Sequence, residues 1–248
     1  MAHQLTFDLP VRTSRDRGDF FIADSNAVAL AAIERWKDWP SAKLVLTGPD
    51  GSGKSHLVEV WATLTGAEIV PAGTLATLDT AALAGRSVAV EDADRVAGQP
   101  EAEAALFHLH NLVLAEGGSL LLTSRAAPTR WGLDLPDLAS RMEGTSMVAL
   151  ETPDEALISA VLVKLFDDRQ IAVSPNLVAY LAPRLPRSLA AARDFVARLD
   201  DVALLTVSIT KVRPFICAID WRPTMLTDRA DLRALLAPKT EQLELFAA

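Results

Sequence analysis

Gly48-Pro49-Asp50-Gly51-Ser52-Gly53-Lys54-Ser55 matches the pattern of a glycine, four free positions, a glycine, a lysine and a serine or threonine at every fixed position. Its surroundings decide how it reads. Lys43-Leu44-Val45-Leu46-Thr47 before it is a short apolar run of strand type, and residues 56–64 after it are apolar at helical spacing. Strand, glycine-rich turn and helix in that order make a phosphate-binding loop. Gly48, Gly51 and Gly53, with Ser52 between them, let backbone N–H groups curl around a phosphate, and the helix N-terminus adds a favourable dipole. Lys54 is placed for the β and γ phosphates of a nucleotide and Ser55 for Mg²⁺. Average residue usage yields such a match on the order of 1 time in 100 chains of this length, and the strand–helix context lowers that further.

A phosphate loop of this kind needs an acidic strand end to hold the metal. Val88-Ala89-Val90-Glu91-Asp92 supplies one, with Glu91 where Asp is usual and Asp92 after it. Octahedral Mg²⁺ is strict about geometry, and Glu is one methylene longer. Nucleotide binding is therefore expected, while efficient hydrolysis by the chain alone is not.

Further strands are expected at Glu68-Ile69-Val70, at Ser119-Leu120-Leu121-Leu122-Thr123 and at Met147-Val148-Ala149-Leu150. Helices are expected from Asp24-Ser25-Asn26, which offers capping chemistry, to before Pro40, over 101–115, and over 138–142. Strands alternating with helices imply an α/β domain over 20–152, built on a five-stranded parallel sheet covered on both faces. After Pro153 the pattern turns helical, at 154–167, from Ser174-Pro175, and from Pro186 through Ala191 and Phe195 to Leu199. No strand competes there, so 153–210 reads as a small helical domain. Residues 1–19 read as an extended arm and 211–248 as a loosely packed tail with a helix at 228–236.

Composition narrows the function. The chain has 248 residues, 24 basic and 32 acidic side chains, and 50% apolar residues, an ordinary globular balance. The sequence pI near 5.0 argues against broad wrapping of nucleic acid. One cysteine, Cys217, excludes a disulfide framework and a Cys-based zinc site. His108 and His110 are two apart, point to different sides of a helix, and read as surface or partly buried. No apolar stretch approaches membrane-spanning length, and residues 1–10 have no signal-peptide pattern, so a soluble cytoplasmic protein is expected.

The ordered motifs resemble a family. Phe20-Phe21-Ile22 with Ser25-Asn26-Ala27, the phosphate loop with His56-Leu57, Glu91-Asp92 with Gly98, Leu121-Leu122-Thr123-Ser124, Leu135-Pro136-Asp137-Leu138-Ala139-Ser140-Arg141, and Leu185-Pro186-Arg187-Ser188-Leu189 look like the AAA+ ATPases of the DnaA clade. Within it they are most similar to the short Hda-like regulators, which lack a DNA-binding domain. The resemblance covers roughly 4–210. It implies an AAA+ core followed by a helical lid. Gly48, Gly51, Ser52, Gly53, Lys54, Ser55, His56, Glu91 and Asp92 would line the site for ADP or ATP, with Mg²⁺ near Ser55 and Glu91. Arg187 would reach the phosphates from the lid. Arg141 would be an arginine finger acting on a neighbouring protomer's nucleotide. Arg125 departs from the pattern, since DnaA-like proteins commonly carry an acidic residue there. That departure also weighs against self-hydrolysis.

Both ends of the chain carry peptides like those that dock on the DNA polymerase sliding clamp, where a glutamine makes polar contacts and leucine and aromatic side chains fill apolar pockets. One holds Gln4, Leu5, Phe7 and Leu9; the other holds Gln242, Leu243, Leu245 and Phe246. The resemblance implies DnaA and the clamp as partners, is compatible with a homo-oligomer, and implies little direct DNA binding and no membrane. Two rival readings stay open: a self-contained ATPase such as a helicase loader, and an initiator-like DNA binder.

Overall fold

A computed structural model of the chain describes residues 21–169, 171–201, 206 and 207. Both clamp-type peptides, Cys217 and the tail at 211–248 lie outside the described residues. The core elements are α1 (Asp24–Glu34), β1 (Lys43–Thr47), α2 (Lys54–Thr65), β2 (Glu68–Pro71), β3 (Ser87–Glu91), α3 (Pro100–Ala115), β4 (Ser119–Ser124), α4 (Pro136–Glu143) and β5 (Met147–Ala149). The five strands form one parallel sheet in the order β2-β3-β4-β1-β5. The expected α/β class and five-stranded parallel sheet are what the chain adopts.

Strand alternation splits the core into two layers. Val45, Val88, Val90, Leu120 and Leu122 face α3 and α4, meeting Leu106, Leu109, Val113, Leu138 and Met142. Leu44, Leu46, Ala89 and Leu121 face α1 and α2, meeting Ile33, Leu57, Val58 and Trp61. Each fully buried leucine contributes about 1.5–3 kcal/mol. Trp61 stacks on Trp39 with ring centroids 5.3 Å apart, and the Trp39 indole N–H donates to the Ala32 carbonyl at 2.8 Å. Because β4 lies between β1 and β3, the end of β1 and the acidic end of β3 are separated by one strand.

Local chemistry sets several helix starts. The Ala23 N–H donates to Asn26 Oδ1 at 3.0 Å, and Asn26 Nδ2 donates to the Phe21 carbonyl at 3.0 Å. Asn26 thus fixes the start of α1 from within its first turn, while Ala23 takes the cap position. Proline opens α3 and α4 at a position that needs no N–H donor. The first helix ends at Glu34, and two short 3₁₀ turns, Trp36–Asp38 and Pro40–Ala42, lead into β1.

Beyond the core lie α5 (Glu155–Asp167), β6 (Ala172–Val173), α6 (Pro175–Leu181), α7 (Leu189–Asp201) and β7 (Thr206–Val207). Asp154 Oδ1 caps α5 through the Leu157 N–H at 2.7 Å, and Ser174 Oγ caps α6 through the Leu177 N–H at 3.3 Å. The described residues fall into two compact units: 21–158 together with Arg187–Ala190, and a second holding the described residues of 159–186 and those from Ala191 on. Phe166, Leu162, Leu177, Leu181, Phe195 and Val196 are buried in the second unit.

Three expectations are corrected. The helix expected from Pro186 begins at Leu189, whose N–H is bonded to the Gly51 carbonyl of the phosphate loop. The region read as strand-free contains β6 and β7, which pair in parallel, Ala172 with Thr206 and Val173 with Val207. Two-residue strands are too short to register as a period-two pattern. His110 is fully buried at 3% exposure, whereas His108 is exposed.

Candidate nucleotide site

The phosphate loop begins where β1 ends. The Gly48 N–H donates to the Ser124 carbonyl at 3.2 Å, which ties the loop to the end of β4. Gly51 at φ +72° and Gly53 at φ +107° lie in the left-handed region, and Gly53 is the residue from which α2 starts. A Cβ on Gly51 would collide with the Ser188 hydroxyl, and the Leu189 N–H donates to the Gly51 carbonyl at 2.7 Å. Residues 187–190 therefore bind the loop by backbone, and they carry the exposed Arg187.

Lys54 is 8% exposed, and its ammonium donates to the carbonyls of Gly48 at 2.7 Å and Pro49 at 3.0 Å. Burial holds its pKa below the ordinary lysine value; Asp50, Asp92 and Asp94 oppose that shift, and Arg125 adds to it. The Ser52 hydroxyl is buried with no hydrogen-bond partner among the described residues. Left-handed glycines, a buried unpartnered hydroxyl and an ammonium turned onto its own loop fit a cradle for phosphate. Ser55 is exposed at the start of α2, and His56 next to it is half-buried, 3.8 Å from Glu59. Ser55, Glu91 and Asp92 offer hard oxygen donors of the kind Mg²⁺ takes. Among the described residues there is no group of three or more His, Cys, Asp or Glu set to hold a metal by themselves.

Glu91 closes β3, half-buried, and alternation puts it on the α1–α2 face with Ala89. The backbone turns sharply after it. Asp92 sits at φ +55°, its N–H donates to Thr123 Oγ1 at 2.9 Å, and its carboxylate pairs with Arg95 at 3.3 Å. Thr123, from β4, thus links the acidic turn to the strand in between. Asp94 accepts from the Arg125 N–H at 3.3 Å and keeps one buried carboxylate oxygen without a partner among the described residues. Arg125 reaches the loop, with its Nε 3.0 Å from Asp50 Oδ1. Asp50 and Asp94 escape a reading of the sequence: the first occupies a free position of the motif, and the second is a single acid beyond the acidic pair.

Arg141 lies elsewhere. It is exposed in the last turn of α4, and its carbonyl accepts from Lys43 Nζ at 3.0 Å and Thr145 Oγ1 at 2.8 Å. Lys43 opens β1 and the phosphate loop follows its end, so Arg141 stands at the opposite edge of the sheet from its own loop. Lys43 is buried and meets His110 Nε2 at 3.2 Å, while His110 Nδ1 lies 3.1 Å from Asn111 Oδ1. One proton arrangement satisfies all these contacts: a neutral His110 protonated at Nδ1 accepts from the lysine at Nε2. Burial, then the Arg141 charge, lower the Lys43 pKa. Burial lowers that of His110 too; the Asn111 hydrogen bond opposes this, while Lys43 and Arg141 reinforce it.

The other end of α4 is held by an acid. Glu103, 1% exposed in α3, accepts from the N–H groups of Gly98 at 2.9 Å, Asp134 at 3.2 Å and Leu135 at 2.7 Å. Burial pushes its pKa up, and the three backbone donors together outweigh this, so the carboxyl stays below its usual range. An anion at the N-terminal end of α4 and a cation at its C-terminal end also complement the helix dipole.

No known family model matches the chain. An uncharacterized protein of Haemophilus influenzae is 28% identical over 200 residues, spanning 74% of this chain and 84% of the relative. Domain III of the replication initiation protein DnaA from Thermotoga maritima superposes with a TM-score of 0.70 at 16% identity, over 82% of this chain and 95% of that domain. DnaA from Aquifex aeolicus bound to AMPPCP gives 0.59 at 15% identity, over 73% of this chain and 63% of that one. At these identities the likeness is one of fold. The chain has the AAA+ α/β fold of DnaA domain III. Among the described residues no helix is long and apolar enough to cross a membrane.

Proposed function

We propose that the chain is an adenine-nucleotide-binding regulator of replication initiation that stimulates hydrolysis of ATP bound to DnaA. The observation that carries this reading is the placement of Arg141: exposed, at the edge of the sheet opposite a complete phosphate loop, in a fold shared with DnaA domain III. There its guanidinium is free to meet a nucleotide held by another protomer. An arginine brought to a phosphoryl-transfer site in this way stabilises charge in the transition state and is worth about 10³–10⁵ in rate.

In the chain's own site Lys54, Ser52 and the loop N–H groups bind the phosphates of ADP or ATP, with Arg187 and His56 beside them. A bound Mg²⁺ would neutralise phosphate charge near Ser55 and Glu91. A longer first acid and an arginine at position 125 favour a site that holds nucleotide over one that turns it over. Clamp docking through Gln4 and Leu5, or through the peptide at 242–246, would bring the regulator to DnaA on DNA.

The test is phosphate release from ATP-loaded DnaA in the presence of clamp on DNA. Arg141→Ala should keep nucleotide and clamp binding and lose the stimulation, and lysine should rescue poorly because a point charge lacks the planar fork. Equal stimulation by wild type and Arg141→Ala would show that the arginine is structural. Nucleotide turnover by the chain alone, abolished in Lys54→Ala, would instead favour the self-contained ATPase.

A further inference from the structure

Charged residues from three segments are linked at the phosphate loop. Asp50 is part of the loop itself, Arg125 follows β4, and Asp94 follows the acidic turn after β3. Arg125 spans the gap between the two acids, with its Nε 3.0 Å from Asp50 Oδ1 and its backbone N–H 3.3 Å from Asp94 Oδ2. Asp50 is also the foremost of the carboxylates acting on Lys54, and Arg125 acts on the same ammonium with opposite sign. Asp50 lies in the loop that ends in Lys54 and Ser55, so the ion pair holds the Arg125 guanidinium beside the phosphate loop.

A carboxylate in that place is a liability. A triphosphate brings about one more negative charge toward the loop than a diphosphate does, and an uncompensated Asp50 repels it. Arg125 cancels the aspartate charge in the free site. The pair is loosely held: the arginine side chain is 51% and the aspartate side chain 69% exposed. Exposed ion pairs of this kind are weak and exchange readily. A phosphate oxygen offers the guanidinium a stronger, planar, charge-assisted contact than a single carboxylate oxygen.

We propose that the Asp50–Arg125 ion pair is an exchangeable clasp over the phosphate loop, which sets how well the site accepts a third phosphate. Arg125 neutralises Asp50 in the free protein and passes to the terminal phosphate of a nucleoside triphosphate. This rests on the reading of 48–55 as a nucleotide site and adds to it a residue pair that decides between diphosphate and triphosphate. It is independent of DnaA and the clamp.

Calorimetric titration of the full chain with ADP and with AMPPCP tests it. Arg125→Ala should weaken AMPPCP by about tenfold or more and ADP by much less, since a charge-assisted contact is lost only with the triphosphate. Asp50→Asn should strengthen AMPPCP relative to ADP. Asp50→Asn placed in the Arg125→Ala background should recover part of the lost AMPPCP affinity. Both side chains are exposed, so ADP binding reports that the loop remains intact in each variant. An ADP-to-AMPPCP ratio unchanged in both single variants, with wild type binding, overturns the clasp alone. Wild type that binds neither nucleotide overturns the nucleotide reading and the clasp with it.

Discussion

The two edges of the sheet handle charge in opposite ways. At the edge where β1 ends, carboxylates and cations alternate, the side chains of their ion pairs are 40–69% exposed, and a hydroxyl and a carboxylate oxygen are buried without partners among the described residues. At the edge where β1 begins, Lys43 and His110 are buried, Arg141 adds a third basic group, and the lysine meets neutral acceptors: an imidazole nitrogen and the Arg141 backbone carbonyl. The first edge is unfinished, and its charges can change partners when phosphate arrives. The second is finished, and it fixes the last turn of the helix that carries Arg141. Exchangeable charge marks where a ligand is taken up; immobilised charge marks what has to stay in register.

The contrast can be broken at either edge. The largest effect belongs to the unfinished one. Lys54→Ala should lower adenine-nucleotide affinity by about 100-fold or more, roughly 2.7 kcal/mol, while thermal unfolding stays cooperative. Equal ADP affinity in wild type and variant by calorimetry would remove the loop from function.

Next comes Glu103. Glu103→Gln replaces an acceptor that serves three backbone donors, and should cost about 2–3 kcal/mol at pH 7. Because the folded carboxyl titrates below its ordinary range, its contribution is present above the unfolded value, near 4.3, and fades as pH falls through the folded value. Urea titrations across that range should show the gap between wild type and variant closing in acid. A gap independent of pH would mean that the charge is not what holds α4.

The smallest effect is expected at Lys43. Its depressed pKa means that the folded state holds the proton less tightly than the unfolded chain does, so the buried ammonium is a cost at neutral pH. Stability should rise with pH from the folded value toward about 10.4. Lys43→Met removes that cost and that slope, leaves Thr145 bonded to the Arg141 carbonyl, and should change stability by about 1 kcal/mol or less. A loss of more than about 2 kcal/mol on urea unfolding would make Lys43 a net stabilising anchor and erase the contrast drawn here. His110 supplies an internal check, because its lowered pKa makes stability fall as pH drops below about 6.5, well above the Glu103 range.

Much of the core was legible because its signals are local. Short continuous apolar runs mark the strands of the parallel sheet, and the loop at 48–55 is contiguous. Strand order is not local, and nothing in β4 announces that it inserts between β1 and β3. Glu103 reads as one acid among several on α3, because its partners Asp134 and Leu135 lie a whole strand and loop away in sequence. The spacing of His108 and His110 correctly places them on different sides, and His110 is buried because it shares a helix face with Leu106 and Val113. Pro186 looks like a helix start, yet the residues after it are taken by the phosphate loop, where the Leu189 N–H finds the Gly51 carbonyl.

That bond between Leu189 and Gly51 has a consequence for how the protein is made. The core unit is not continuous in the chain: it closes only with Arg187–Ala190, after the whole segment Ser159–Pro186 has been synthesised. A ribosome adding about 5–20 residues per second needs on the order of ten seconds to travel from the phosphate loop to its last backbone partner. During that interval the loop exists without the segment that covers Gly51, and the sheet becomes complete in sequence only when β5 has been made. Nucleotide reaching the loop in those seconds would meet it before it is closed, so the timing of translation, as well as the finished fold, enters into when the site first becomes whole.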